Sequence, residues 1–484
     1  MTPIALNDSS ITLIPATSTL NTITITPEEM RLRMVRELLF ETRSFLARAP
    51  GTFDLSDPST SQSLIPNKDV AHILVDPRSM DPFVPVNDCE DPSFIWPNVC
   101  TALGLLEGRP YVLTIDLDST FFMQTRAFER FVTRKHITGL MSMICQTGVD
   151  RITELVIRCS VWSHLETILT TFAEHSASMP MLTRYCVSYT SNEVDKLGML
   201  YVPSDQHNTS SIVLAPKGLN INDSELDGHP LLPSLKHVYL NYIPNRWSSF
   251  TPIALTSLYL HNVPRGNRPT PEELAKILYN NQYTLTTLEL GVGAIPLDPY
   301  SDTVCLPNLI SLSVRFVVCW ELTSLARTLE LPSLTNLSFE DYWNRVDMFT
   351  QNIKSADCMD NEYRAILREE TVYAYEAVIE NWPLFSITRL RMEYPIFYEM
   401  GANRISLLEQ SSLSPVVWEE NGGVPVASLF FSEFEALEEM VLVRPDDTTT
   451  KAVMNQPYLY SEENGAFEPW FERWLPSLQT YKLN

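Results

Sequence analysis

Apolar positions along the chain recur in a short signature, LxxLxL, whose first, fourth and sixth places are apolar. On a strand, residues two apart share a face, so the fourth and sixth places point to one side and the third and fifth to the other. Allowing Ile, Val, Met, Phe or Tyr at the apolar places, the signature begins at Ile152, Leu182, Leu235, Leu255, Leu285, Leu309, Leu334, Ile387, Leu437 and Leu478. Each copy predicts one short strand. Five consecutive copies, from "LKHVYL" to "LTNLSF", are separated by 20, 30, 24 and 25 residues.

That spacing is close to the period of leucine-rich repeats. Several copies are preceded by Leu-Pro, at Leu232, Leu306, Leu331 and Leu475. Proline fixes φ and has no N–H, which suits the first residue of a strand. Helical patterns lie between the strands. Thr270-Pro271-Glu272-Glu273 is a capping box with proline at the first helical position, followed by an apolar stripe of Leu274, Ile277 and Leu278. A second helix is expected between residues 360 and 382, with Tyr363, Ile366, Leu367, Val378 and Trp382 buried and Pro383 as its stop. Residues 393–436 and 443–470 are richer in Glu, Gly and Pro and read as long loops, and Trp470 and Trp474 are expected to close the last repeat.

Strand and helix alternating at this spacing predict an α/β fold: an irregular leucine-rich-repeat solenoid with parallel strands on the concave face and helices on the convex face. The expected organisation is a disordered Ser/Thr-rich tail over 1–26, a helical N-terminal segment over 27–108, and the solenoid over 109–484. The N-terminal segment opens with a capping box from Thr26 to Glu29 and a stripe of Val35, Leu38, Leu39 and Leu46.

The outward places of successive strands then form one surface. They are His237, Tyr239 and Asn241; Ser257, Tyr259 and His261; Thr287 and Glu289; Ser311, Ser313 and Arg315; Asn336, Ser338 and Glu340; Arg389, Arg391 and Glu393. Tyr and Arg are enriched where protein interfaces are energetically strong, so this face is the candidate for binding a protein target. A solvated sheet face with no ligand is the other reading of the same residues.

Charge narrows the partner. A formal net charge of -24 opposes binding to a nucleic-acid backbone or an anionic membrane, leaving a protein as the expected partner. No basic residue precedes Arg31 and no uninterrupted apolar segment occurs, so neither a secretory signal nor a spanning helix is expected, and the compartment is cytosol or nucleus. The eight cysteines are dispersed without a CxxC pair, and the histidines form no HxH or HxxxH, so no metal or other cofactor is expected.

One stretch competes with a binding role. "YVLTIDLDSTF", residues 111–121, is an apolar strand ending in Asp116-Leu117-Asp118-Ser119-Thr120. It resembles the first motif of haloacid-dehalogenase-type phosphatases, which implies Asp116 as a phosphoryl-accepting nucleophile, Asp118 as acid/base and a magnesium ion. The further acidic pair such an enzyme needs has its one candidate in Asp446 and Asp447, far downstream.

A wider resemblance covers most of residues 92–484. "PSFIWPNV", "GRPYVLTIDLDS", "VDRITELVIR" and the Leu-Pro repeats are similar to the F-box and leucine-rich-repeat proteins of mushroom-forming fungi. In that family an F-box precedes a Pro-x-x-Trp phrase, a strand like residues 109–119, and irregular repeats. "IPNKDVAHIL", residues 65–74, corresponds to the opening of a shortened F-box, which implies Ile65, Pro66, Val70, Ile73 and Leu74 as adaptor-binding residues. The resemblance implies a non-enzymatic substrate receptor of a cullin-RING ubiquitin ligase, bound to a Skp-type adaptor. A stand-alone interaction scaffold and a magnesium-dependent phosphatase remain the alternatives.

Overall fold

The computed structural model describes residues 70–76, 95–106, 108–118, 132–175, 179–190, 232–245, 247–264, 267–296, 303–342, 373–395, 430–431, 433–444, 459–461, 466–468, 475 and 477–483. All of them fall within one compact unit, Ile65–Asn484. The expected tail over 1–26, the helix opening at Thr26, Tyr363, Ile366, Leu367, Trp470 and Trp474 lie outside the described residues.

The fold is mixed α/β. Its strands are β1 (Ala71–Val75), β2 (Tyr111–Leu117), β3 (Ile152–Cys159), β4 (Arg184–Tyr189), β5 (His237–Asn241), β6 (Ser257–His261), β7 (Thr287–Leu290), β8 (Val304–Cys305), β9 (Ser311–Phe316), β10 (Leu329–Glu330), β11 (Asn336–Asp341), β12 (Arg389–Glu393), β13 (Glu439–Val443), β14 (Leu459–Ser461), β15 (Ala466–Glu468) and β16 (Thr480–Leu483). Twelve form one sheet in the order β1-β2-β3-β4-β5-β6-β7-β9-β11-β12-β13-β16, with β1 and β16 at its two ends and no closure into a barrel. Every pairing in it is parallel. The helices are α1 (Pro97–Gly104), α2 (Arg134–Gly148), α3 (Trp162–His175), α4 (Pro271–Asn280), α5 (Cys319–Thr328) and α6 (373–381).

All ten LxxLxL copies coincide with strands of this sheet, and the register aligns copy with copy. His237 lies opposite Ser257, which lies opposite Thr287, then Ser311, Asn336, Arg389 and Glu439. A given place in the signature therefore becomes a row running across the sheet. In the nine copies from β3 to β13 the fourth and sixth places, such as Leu258 and Leu260 or Leu288 and Leu290, are buried in one continuous core. The apolar sides of the helices enter the same core through Leu140 and Ile144, Leu165 and Ile168, Leu274 and Ile277, and Leu322 and Leu325. Truncating any of these leucines to alanine costs about 2–5 kcal/mol, because transfer and cavity terms add.

Helix α4 begins as its capping box predicts. The Thr270 hydroxyl accepts from the Glu273 N–H, and the Glu273 carboxylate accepts from the Thr270 N–H at 2.9 Å. Its far end is held by Asn281, 1% exposed, whose Oδ1 accepts from Leu255 N–H while its Nδ2 donates to the carbonyls of Pro252 and Ile277. Helix α6 buries Val378 and is followed by buried Trp382 and by Pro383.

The prolines sit elsewhere than expected. Leu235 N–H donates to Leu232 O, Leu309 to Leu306 O, Leu334 to Leu331 O and Leu478 to Leu475 O, each at 3.1–3.2 Å. Each of these leucines therefore opens a turn that ends before the strand starts, and Pro233, Pro307 and Pro332 take the turn's second position, where a φ fixed near −65° is required. The leucine carrying the turn carbonyl is buried in all four cases.

Threonine at the second place of the signature adds a ladder beside the backbone rungs. The hydroxyls of Thr183, Thr256, Thr286, Thr335 and Thr388 each donate to the carbonyl of the equivalent residue in the preceding copy. The same carbonyls accept backbone N–H groups, so at these five junctions the hydroxyl adds to the backbone bonding between copies.

Two expectations about organisation are corrected. Ala71–Val75, inside the segment expected to be helical, is the end strand of the sheet and pairs with β2 from Ala71↔Tyr111 to Val75↔Ile115. The sheet thus begins before residue 109. Within the expected loop over 443–470, β14 and β15 form a separate antiparallel pair.

Candidate protein-recognition face

The outward places form three adjacent rows on the sheet. The first carries Arg184, His237, Ser257, Thr287, Ser311, Asn336, Arg389 and Glu439. The middle row carries Cys186, Tyr239, Tyr259, Glu289, Ser313, Ser338, Arg391, Val441 and Lys482. In the third, Arg158, Ser188, Asn241 and His261 are contiguous, and Arg315, Glu340 and Glu393 follow on β9, β11 and β12. All the residues expected on one face are on it.

Their accessibility differs. His237, Arg389 and Arg391 are exposed, while Tyr239, Asn241, Tyr259, Glu289 and Arg315 are half-buried. His261 and Glu340, expected as open contacts, are buried. The reason is pairing within the face: His261 Nε2 lies 3.1 Å from Glu289 Oε1 on the next strand, and Glu340 accepts from Arg315 Nε. Gly291 lets the backbone of β6 come close: a Cβ there would stand 3.0 Å from the His261 Cα.

Tyr239 is the centre of an aromatic group, with its ring 6.2 Å from that of Tyr259 and 5.3 Å from that of His261. Burial and then the Glu289 carboxylate push the Tyr239 phenol up to about 12, so it is a neutral hydroxyl at physiological pH. Burial also raises the Tyr259 phenol. Burial, with Arg184 and Lys236, lowers the His237 imidazole, which favours its neutral form. For Glu289, burial works to raise the carboxyl, but the hydrogen bond and charge of His261, with the charge of Arg315, outweigh it and hold the carboxyl below its ordinary 4.5. Around the aromatic group runs an amide chain: Asn262 Nδ2 donates to Asn241 Oδ1 at 2.8 Å, and Asn241 Nδ2 donates to Ser188 Oγ at 2.9 Å.

Beyond β11 the face is charged. Arg391 lies 2.7 Å from Glu393, Arg389 lies 3.8 Å from Glu439, and Lys482 reaches the same Glu439 at 3.4 Å. At the other end Arg184 lies 3.9 Å from Glu154. Glu154, Arg158, Arg184, Glu439 and Lys482 were missing from the expected face although they occupy the same outward places. Counting from the copies at Ile152, Leu182, Leu437 and Leu478 locates all of them.

Of the expected adaptor residues, Ile73 is buried in the core, Leu74 is exposed on β1, Val70 is half-buried just ahead of it, and Ile65 and Pro66 lie outside the described residues. Asp116 is on the open face of β2, opposite Arg158 of β3. Ser119, Thr120, Asp446 and Asp447 lie outside the described residues. Among the described residues no group of three or more His, Cys, Asp or Glu is arranged to hold a metal ion, and no helix is long and apolar enough to cross a membrane. Comparison with protein-family models and with curated proteins finds no match to this chain.

Proposed function

We propose that the chain is a non-enzymatic leucine-rich-repeat protein that recognises a protein target on the open face of its sheet. The observation that supports this most is the row geometry: strands paired in chain order carry Tyr239, Tyr259, Arg315 and Arg391 onto one surface with no gap in register. Helices join the opposite, buried side, as convex helices of an irregular solenoid do. A half-buried tyrosine pair beside partly exposed arginines is the composition of an interface centre.

By resemblance to the F-box and leucine-rich-repeat proteins, the target is delivered to a cullin-RING ubiquitin ligase through a Skp-type adaptor, in the cytosol or nucleus. The mechanism is proximity, with no covalent step by this chain. One observation favours the scaffold without a ligase role. Residues 71–75, which would have to form part of an adaptor-binding helix, are a strand of the sheet, and Ile73 is committed to its core.

Two experiments on the full chain test these readings. Proteins captured by wild type should be lost with Tyr239→Ala/Tyr259→Ala and kept with Tyr279→Ala on α4, each variant showing an unchanged far-UV spectrum; equal capture by both sinks the recognition face. Co-elution with a purified Skp-type adaptor supports the receptor, and separate elution leaves the scaffold.

A further inference from the structure

In each described Arg or Lys ion pair of the open face, the cation stands further out than the carboxylate it pairs with. The side chain of Arg389 is 68% exposed and that of Glu439 is 36%; Arg391 is 49% exposed and Glu393 is 25%. The same order holds for Arg184 over Glu154, Arg315 over Glu340 and Lys482 over Glu439. Long basic side chains extend over the shorter acids that anchor them. The pair of His261 and Glu289 runs the other way, but both of its members lie low on the face. A surface whose bases are paired with acids can therefore present positive charge to whatever approaches it, although the whole chain carries -24.

These cations are also spaced. Arg315 is on β9, Arg389 and Arg391 are on β12 two strands further, and Lys482 is on β16 two strands further again. Adjacent strands lie about 4.8 Å apart, so the steps are about 10 Å each. An extended chain advances about 10 Å in three residues.

We infer that the face binds an extended acidic segment of a protein partner, lying across the strands from β9 to β16 with carboxylates about three residues apart. The inference rests on reading this face as a recognition surface and adds the chemistry of the partner. Charge complementarity selects the segment: its carboxylates meet guanidinium and ammonium groups already oriented by their own acids. The acidic remainder of the chain repels such a partner elsewhere and so confines it to this strip. A nucleic-acid strand is disfavoured, because its charge is too dense for a strip whose cations are each half-neutralised by a neighbouring carboxylate.

The test uses the full chain and a fluorescein-labelled peptide of Glu-Ser-Ser repeats, with Gln-Ser-Ser and Lys-Ser-Ser repeats and an oligo-thymidine as comparisons. The Glu peptide is expected to bind alone among the four and to weaken as salt rises. Arg389→Glu/Arg391→Glu should weaken it at least tenfold. Lys276→Glu/Arg327→Glu, an equal charge change on α4 and α5, should leave it within about twofold. No binding of the Glu peptide, tighter binding of oligo-thymidine, or equal loss in both variants overturns the inference. If capture of protein targets is lost with Tyr239→Ala/Tyr259→Ala but survives Arg389→Glu/Arg391→Glu, the recognition face stands and the acidic partner falls.

Discussion

His261 on β6 and Glu289 on β7 meet across the strand boundary, Nε2 to Oε1 at 3.1 Å, at the foot of the tyrosine pair. The contact fixes the floor on which Tyr239 rests, and it holds the Glu289 carboxyl below 4.5 against the effect of its own burial.

A folded-state carboxyl lowered in this way contributes stability that is complete above the unfolded value and is lost as pH falls through the lower folded one. Wild type should therefore lose more of its urea-unfolding midpoint than Glu289→Gln between about pH 6 and about pH 3. At neutral pH Glu289→Gln should cost about 1.5–3 kcal/mol, the range for a hydrogen bond to a charged group. Equal pH slopes for the two proteins would show that the contact carries no linkage.

Asn281 is a plug with every polar atom used. Asn281→Ala strands Leu255 N–H and the Pro252 carbonyl in the core, and about 2–3 kcal/mol of stability should be lost. Asn281→Asp should do no better, since a carboxylate keeps the bond from Leu255 but turns lone pairs toward the two carbonyls. Urea unfolding monitored by tryptophan fluorescence would read both.

Arg268 and Glu321, on segments 53 residues apart, form an ion pair in which Glu321 is 1% exposed and also accepts from the N–H groups of Val317 and Val318. Glu321→Ala leaves a half-buried guanidinium and two amide donors without their acceptor, a loss of about 3–5 kcal/mol. Adding Arg268→Met to it should recover part of that loss, because the cation then has no need of a partner. Strict additivity of the two changes in a double-mutant cycle would contradict the pairing.

Gly293 has φ +76°, and a Cβ there would collide with the Val263 carbonyl. Gly293→Ala is expected to lower the thermal midpoint clearly, since both backbone strain and a backbone clash oppose it. Gly104, at the end of α1, has open space where its Cβ would stand. Gly104→Ala should be neutral or stabilising by up to about 1 kcal/mol.

The sheet was legible because its information is local. Three apolar places in six residues name a strand and both of its faces, and ten copies supplied ten of the twelve strands. The eleventh, β2, was legible as an apolar run. Strand β1 was not: "AHILV" is a five-residue apolar stretch, too short for periodicity to separate strand from helix, and its state is decided by pairing with β2 some 40 residues away. The face was legible as a set of residues but not as a set of pairs. Nothing in the spacing of Arg315 and Glu340 says that one will bury the other, because that depends on the register between β9 and β11. Asn281 looked like an ordinary residue after a helix, since both its partners on the β6 side are distant in sequence.

Each strand of the large sheet touches only the strands before and after it in chain order. A substitution in one outward row is therefore felt by two neighbours, while the threonine rungs and buried leucines that hold the register are untouched. Such a surface can change its preferences one strand at a time, so lineages carrying this chain could diverge in what they hold without passing through an unfolded ancestor.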